Sequence, residues 1–217
     1  MLEPRTASLL VDYYEAFLRE KDIEAFQAKI MARYNEASLS RLVRSGEVQA
    51  QRAAIFSLGL VGSFESNTVV ARGLRNNDVT VRNLAQSALW AIWYRADTLE
   101  NNAVLQEVRD LIFRQRFAEA DGLASVLIAK SPGFAEAHNQ RAIALFFQGR
   151  FEDSALECRR TLERNPYHLG ALGGLGQCYI RLDRHRDALS VFRRAVEIQP
   201  YNTDLRETVA VLQAEIE

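Results

Sequence analysis

The chain has 217 residues, of which 48% are hydrophobic and 25% are charged, and its 27 Lys and Arg are balanced by 28 Asp and Glu. This composition is typical of a compact globular chain rather than of a disordered tail or a membrane protein. The near-zero net charge excludes a long-range attraction to polyanions, so a nucleic-acid or membrane-surface role would need a local basic patch.

The sequence lacks the usual signals for secretion, metal binding and catalysis. The first residues have neither the basic start nor the apolar core of a secretory signal, and no apolar run approaches the roughly 18 residues of a membrane span. We therefore expect a cytoplasmic protein. The two cysteines, Cys158 and Cys178, are interpreted as buried free thiols. His138, His168 and His185 lack the spacing of metal ligands. We expect no cofactor, no metal and no enzymatic activity.

Residues 1–37 are predicted to form an N-terminal helical cap. Apolar side chains recur there at steps of three and four in two stretches, which is typical of amphipathic helices. The two stripes consist of Leu9, Leu10, Tyr13, Tyr14 and Phe17, and of Ile23, Phe26 and Ile30.

Residues 38–100 contain an internal repeat. The segment 38–47 aligns with 69–78, and the similarity continues at the same offset into the helix that follows each segment. The stretch from Asp78 to Leu89 resembles the D-x-x-V-R-x-x-A-x-x-A-L signature of short bacterial HEAT-like repeats. That resemblance implies pairs of antiparallel helices.

Arginines recur with the offset of this repeat and suggest an alternative function. A ladder of basic side chains along one face can grip a nucleic-acid backbone. Against this function stand the neutral total charge and the nearby Glu47 and Asp78, each of which we expect to cap the N-terminus of a helix. The ladder consists of Arg41, Arg44, Arg72, Arg75 and Arg82.

The segment Leu89–Tyr94 is apolar on every side of a helix and is followed by residues without Pro or Gly. A helix that is apolar all round is buried, and such a short connection is expected to be stiff. We therefore predict that the two halves form one continuous superhelix. Trp90 and Trp93 are interpreted as core of this junction because Trp has so much surface to bury. A ligand-stacking site is the alternative.

The C-terminal half contains a second repeat with a different period. Pro132, Pro166 and Pro200 are evenly spaced, and helix-breaking residues at fixed intervals indicate a helical array. Small and large apolar residues recur with the same period, as interlocking antiparallel helices require. The third copy carries Leu172, Leu175, Gly176, Tyr179, Ala188, Phe192, Ala195 and Pro200.

These residues resemble the tetratricopeptide repeat family, whose pattern is W-x2-L-G-x2-Y…A-x3-F…P. The resemblance implies repeats at 101–134, 135–168 and 169–202, of which the third matches the pattern best. Residues 203–217 are predicted to form a C-terminal capping helix. The predicted fold is an all-α, right-handed α-solenoid of stacked antiparallel helix pairs, in which HEAT-like repeats are followed by tetratricopeptide repeats.

The resemblance also implies a concave surface built from the first helix of each pair, which in solenoids holds an extended peptide or a partner helix. The amide side chains in this predicted groove suit a peptide backbone, Ile143 and Phe147 suit an apolar side chain, and the arginines suit a carboxylate. Ordinary surface and inter-repeat packing is the alternative role. The predicted groove residues are Arg109, Asn139, Ile143, Phe147, Gly170, Gly173, Gln177 and Arg181.

Four glycines lie in the first helix of the third repeat, although each interior Gly costs about 1 kcal/mol relative to Ala. Gly176 belongs to the family pattern. Gly170 and Gly173 are expected to leave a shallow floor where another backbone can approach closely. Close packing of Gly170, Gly173 and Gly174 against the capping helix or the second repeat is the alternative explanation.

The chaperone-binding members of this family hold a terminal carboxylate with a clamp of Lys and Asn residues. The matching positions here are Leu105, Arg109, Gln140, Gly170 and Gly174. We therefore do not expect chaperone C-termini as partners.

The predicted function is a non-catalytic interaction scaffold that binds a protein or peptide segment in its concave surface. The repeats do not specify the partner, and self-association remains open. A further alternative is an accessory subunit related to bilin-lyase-type HEAT proteins, which rests on similarity of fold alone.

Overall fold

The computed structural model describes residues 4–217, with side chains from residue 9 onward. The first three residues of the predicted N-terminal cap lie outside this part. All regular elements in the described residues are helical, which confirms the predicted fold class. The helices are α1 (Pro4–Glu20), α2 (Ile23–Arg33), α3 (Glu36–Ser45), α4 (Val48–Val61), α5 (Asn67–Arg72), α6 (Val79–Tyr94), α7 (Leu99–Phe113), α8 (Phe117–Lys130), α9 (Ala135–Phe147), α10 (Phe151–Arg164), α11 (Leu169–Arg181), α12 (His185–Ile198) and α13 (Thr203–Ile216).

The chain divides into two compact units, Met1–Trp93 (unit 1) and Tyr94–Glu217 (unit 2). The change of repeat type is predicted after residue 100, slightly later in the chain. Tyr94 belongs to unit 2 because its side chain packs against the cluster that contains Leu105. Within residues 4–217, no helix combines the length and the apolar character that crossing a bilayer requires.

In unit 1, the two predicted N-terminal stripes fold as α1 and α2 and pack against α4. Tyr14, Phe17, Phe26 and Phe56 form one aromatic cluster, in which the rings of Phe17 and Phe56 stack with their centroids 4.8 Å apart. Offset and edge-on ring contacts of this kind stabilise a core beyond the area that they bury. The cluster explains why both stripes are apolar on one face.

The two predicted carboxylate caps of unit 1 have different outcomes. Asp78 accepts a hydrogen bond from the backbone N–H of Val81 at 2.8 Å and also binds Arg52, so the prediction is confirmed there. At Glu47 it is wrong, because the side chain makes no capping hydrogen bond. The shorter Asp side chain is the better N-cap, since its oxygen reaches the N–H groups of the first turn.

Trp93 lies in the core of unit 1. Its side chain is 1% exposed, and its indole N–H donates to Asn67 Oδ1 at 2.8 Å. Trp90 packs edge-on against it, with ring centroids 5.0 Å apart. Core packing within unit 1 therefore accounts for Trp93.

The helices of unit 2 follow the predicted period of the prolines closely. The first helices of the three pairs end at Phe113, Phe147 and Arg181, and the second helices begin at Phe117, Phe151 and His185. Within each set, consecutive positions are separated by the same interval as Pro132 and Pro166. Neighbouring first helices contact one another, α7 with α9 and α9 with α11. Unit 2 is therefore an α-solenoid of stacked antiparallel helix pairs.

The turn inside each pair is also repeated. One residue adopts the left-handed conformation in each turn, with φ of 59° at Gln115, 75° at Gly149 and 55° at Asp183. Glycine adopts this conformation without strain, whereas other residues reach it less readily. The turn geometry is thus set by the repeat rather than by the residue type.

The predicted capping helix is present as α13. Asn202 caps it by accepting a hydrogen bond from the N–H of Leu205 at 3.1 Å. Its apolar face, which includes Leu205, Val209, Leu212 and Ile216, packs on the core of the last repeat. The helix therefore covers apolar surface that the third repeat would otherwise expose.

Candidate functional site

The candidate site is an open cavity of about 140 Å³ between α9, α10 and α11 of unit 2. The first helices α9 and α11 of the second and third repeats form two of its walls, and the second helix α10 forms the third. The wall residues are Asn139, Ala142, Ile143, Phe146, Phe147, Ser154, Cys158, Gly170, Gly174 and Gln177.

The structure brings together five of the eight predicted groove residues. These five all line the cavity: Asn139, Ile143, Phe147, Gly170 and Gln177. Arg109, Gly173 and Arg181 do not line it. The spacing of the repeats thus predicts most of the cavity-lining residues on the first helices.

The apolar wall comes mainly from α9. Phe147 is 61% exposed, and its ring stacks on Phe117 with the centroids 5.0 Å apart and an interplanar angle of 14°. Phe146 stands edge-on to it, and Ile143 is half-buried one turn earlier. A large phenyl ring left accessible beside a cavity is typical of a contact surface for another apolar group.

Asn139 is the buried polar group of the site, with only 2% of its surface exposed. Its Nδ2 donates to Glu136 Oε1 at 2.9 Å. Because a carboxylate oxygen accepts, this bond fixes the amide orientation and leaves Oδ1 as a potential acceptor. Asn139 therefore offers a hydrogen-bond acceptor to whatever occupies the site.

Glu136 is held by donors from its own helix and from the start of α11. Asn139 and Gln140 donate from its own helix, and His168 Nε2 lies 2.7 Å from Glu136 Oε2. His168 Nδ1 accepts from the N–H of Ala171 at 3.0 Å and so caps α11. That bond requires Nδ1 to be unprotonated, so His168 is neutral and donates through Nε2. The histidine thus links α11 to the residue that orients Asn139.

The two predicted groove arginines stack on aromatic rings. The guanidinium of Arg109 lies 3.8 Å from the centroid of Tyr94, and that of Arg181 lies 4.4 Å from the centroid of Phe151. Arg109 also donates to Gln106. These cation–π contacts hold both side chains away from the cavity wall.

The glycines of α11 have different surroundings. The two explanations that the sequence leaves open, approach of another backbone and close helix packing, therefore apply to different glycines. A Cβ at Gly176 would lie 2.4 Å from the Phe192 ring, and one at Gly174 would lie 3.2 Å from Cys158 Sγ. A Cβ at Gly173 would meet nothing within 4 Å. Packing therefore explains Gly174 and Gly176, whereas Gly173 faces open space.

Sequence reasoning missed Ser154 and Cys158, which close the cavity from α10. The prediction considered only first helices, whereas these residues lie on a second helix. A usable signal was present, since both occupy positions that recur with the period of the repeat.

Comparison with known proteins supports the repeats of unit 2. Residues 105–168 and 139–203 match the family model described as tetratricopeptide repeat. A TPR repeat-containing protein of Rhizobium etli is 26% identical over 120 residues, which are 55% of this chain and 59% of the relative. The chain thus spans less than two thirds of that relative.

Two solved structures show the same fold. The Sgt2 TPR domain from Aspergillus fumigatus has a TM-score of 0.51 and 16% identity, covering 55% of this chain and 80% of that one. The first TPR of Spaghetti (RPAP3), bound to the HSP90 peptide SRMEEVD, has a TM-score of 0.52 and 16% identity, covering 55% and 95%. The family match and these structures together support tetratricopeptide repeats in this chain.

Proposed function

We propose that unit 2 holds an extended segment of a partner protein in the groove around the cavity and performs no chemistry on it. The observation that carries this proposal is a cavity between α9, α10 and α11 whose wall combines the exposed Phe147 with the amide-bearing Asn139 and Gln177. The amide oxygen of Asn139 can accept a hydrogen bond from a ligand donor. A peptide N–H is such a donor.

The cavity is large enough to hold one side chain of a partner segment. A volume of about 140 Å³ is close to the roughly 150 Å³ that accommodates a benzene molecule in a protein interior. Leu, Ile, Met or Phe of a partner segment would therefore fill it against Ile143 and Phe147. Gln177, exposed on the opposite wall, supplies a further amide for the backbone of that segment.

The peptide complex of the Spaghetti domain supports peptide binding as the class of function for this fold. The partner proposed here is nevertheless different in kind. Leu105, Gln140, Gly170 and Gly174 occupy clamp positions of the chaperone-binding members, and Gln140 is committed to Glu136. We therefore propose an internal apolar segment rather than a terminal carboxylate.

Gly173→Leu tests the groove without disturbing the core. We expect helicity to be unchanged and capture of the partner to fall by about tenfold or more, which corresponds to at least about 1.4 kcal/mol of binding free energy. Gly173 lies outside the cavity wall, but it is about one turn from Gly170 and Gln177, which line it. A leucine in this open position would therefore obstruct a segment that runs along α11 past the cavity. The measurement is quantitative affinity capture from native lysate, with circular dichroism of both proteins.

Gly122→Leu is the matched control, because a Cβ at Gly122 also meets nothing within 4 Å but lies on the second helix α8. It should capture the partner like the wild type. Equal capture by the wild type and Gly173→Leu would contradict the proposal that the partner segment passes close to Gly173.

We also propose that residues 38–100 are HEAT-like, a proposal supported by the consecutive helices α3 to α6 and by the cap at Asp78. The nucleic-acid alternative has weaker support. Arg41 and Arg44 do line an exposed cleft, but Glu36 and Glu65 line it with them. Carboxylates beside the arginines repel phosphate, so peptide binding by unit 2 is the better-supported function.

A further inference from the structure

The two cysteines of the chain lie on opposite sides of one helix contact. Cys178 Sγ on α11 is 3.2 Å from the Oγ of Ser154, which precedes Cys158 by one helical turn on α10. In the other direction, a Cβ at Gly174, one turn before Cys178, would lie 3.2 Å from Cys158 Sγ. These two crossed contacts place the thiols side by side.

Gly174 makes this arrangement possible. A larger side chain at that position would occupy the space into which the Cys158 sulfur extends. The thiol pair therefore explains Gly174, one of the three glycines of α11 that the family pattern does not explain.

The pair borders the candidate site. Cys158 is 2% exposed, and its side chain forms part of the cavity wall. The cavity is open to solvent and large enough for a small oxidant. Cys178 is fully buried behind it. Cys158 can thus react with a small reagent, while Cys178 is positioned to react with the modified Cys158.

The electrostatics favour reaction at neutral pH. The hydrogen bond from Cys158 lowers the pKa of Cys178 to about 7 against the opposing effect of burial. The same hydrogen bond, together with burial, raises the pKa of Cys158. The pair therefore shares one proton near neutral pH, and Cys178 can accept the proton of Cys158 as Cys158 reacts.

We propose that Cys158 and Cys178 form a peroxide-sensitive modification site, in which oxidation by hydrogen peroxide links α10 to α11 by a disulfide at the floor of the groove. Cys158 sulfur attacks one peroxide oxygen, the O–O bond breaks, and water leaves with the proton held by the pair. The Cys178 thiolate attacks the sulfur of the resulting sulfenic acid, the S–O bond breaks, and the departing hydroxide takes a proton from solvent and leaves as a second water. In total, one thiol, one thiolate, one solvent proton and one hydrogen peroxide give one disulfide and two waters.

The disulfide has a consequence for the groove. It joins the second repeat to the third and removes a thiol from the cavity wall. The linked sulfurs are about 2.05 Å apart, which is much closer than two thiols in contact. Oxidation is therefore expected to shift α10 relative to α11 and to change the affinity of the groove for its occupant.

The test is peroxide treatment of the purified full chain at neutral pH, followed by alkylation and mass spectrometry. We expect an intact mass lower by two hydrogens, loss of both alkylation sites, and one peptide pair joined between Cys158 and Cys178. Reduction should restore both thiols. Cys178→Ala should instead give a sulfenic acid at Cys158, trapped by dimedone, and should form it more slowly than the wild type forms the disulfide because the acceptor of the Cys158 proton is gone. Circular dichroism establishes that this variant is folded.

Three results for the wild type overturn the proposal whatever the variant does. These are two thiols that stay free, separate sulfinic acids without a linked peptide, and disulfides only between different chains. None of these results bears on whether the reduced groove binds a partner, so the inference and the proposed function are tested independently.

Discussion

Replacing His168 by leucine is expected to lower the free energy of unfolding of unit 2 by about 2–5 kcal/mol. The change removes a buried hydrogen bond to a carboxylate, which contributes about 1.5–3 kcal/mol, and the cap of α11, which contributes about 0.5–2 kcal/mol. His168 and Glu136 are both fully buried, with 0% of either side chain exposed. Leucine has similar volume but leaves the Glu136 carboxylate with one donor fewer and removes the cap of α11. Urea denaturation followed by circular dichroism measures the loss.

His185→Leu is the control for this change. His185 also lies at the start of a helix in unit 2, but its side chain is 38% exposed and lies 3.4 Å from Glu215, which is itself half-exposed. Such surface contacts contribute about 0–1 kcal/mol. Similar losses of stability in the two variants would contradict the role assigned to the buried pair.

The second large effect is expected at Gly176. An alanine Cβ there would lie 2.4 Å from the Phe192 ring, which is itself 3% exposed and fixed in the core. Overpacking of a filled core costs about 1–3 kcal/mol, so Gly176→Ala should lower the thermal midpoint of unit 2. Differential scanning calorimetry measures this change.

Gly173→Ala is the matched comparison, in the same helix and with the same chemical change. Because its Cβ would meet nothing within 4 Å, the helix preference of Ala should stabilise unit 2 by about 0.5–1 kcal/mol. Opposite signs at the two positions are the expected outcome. A loss of stability in Gly173→Ala as large as that in Gly176→Ala would show that α11 is packed on both faces and has no open side.

The sequence predicts unit 2 well because its apolar pattern and its prolines repeat together. Pro132, Pro166 and Pro200 set a period that the helix boundaries then follow. Asn202 caps α13 for the same local reason, since an N-cap needs only a short polar side chain and the first turn that follows it. Local signals of this kind are contained within one or two turns of the chain.

The polar network could not be predicted in this way. His138 and His168 have no ligand-like spacing, so the sequence offers no reason to group them with acids. In the fold, His138 pairs with Glu157 on the next helix, and His168 pairs with Glu136 near the start of α9. Both pairings depend on how neighbouring helices face one another. Positions that recur with the repeat give the period of the helical array but not the rotation of each helix about its own axis.

The candidate site shows the same limit. Asn139 and Phe147 are predicted from positions that recur in the first helices. The third wall of the cavity, however, comes from Ser154 and Cys158 on a second helix. The different surroundings of Gly173 and Gly176 also depend on side chains of other helices, which are distant in sequence. Spatial neighbours of this kind are visible only in the folded chain.

Site-specific photo-crosslinking in native lysate tests the central claim most directly. A benzophenone amino acid at Phe147, which is 61% exposed in the groove, is compared with the same amino acid at Val126, which is 66% exposed on α8. The proposal predicts one dominant crosslinked protein at Phe147, lost in the Gly173→Leu background and absent at Val126. The same crosslinks at both positions, or none at Phe147, would contradict binding of a partner in the groove.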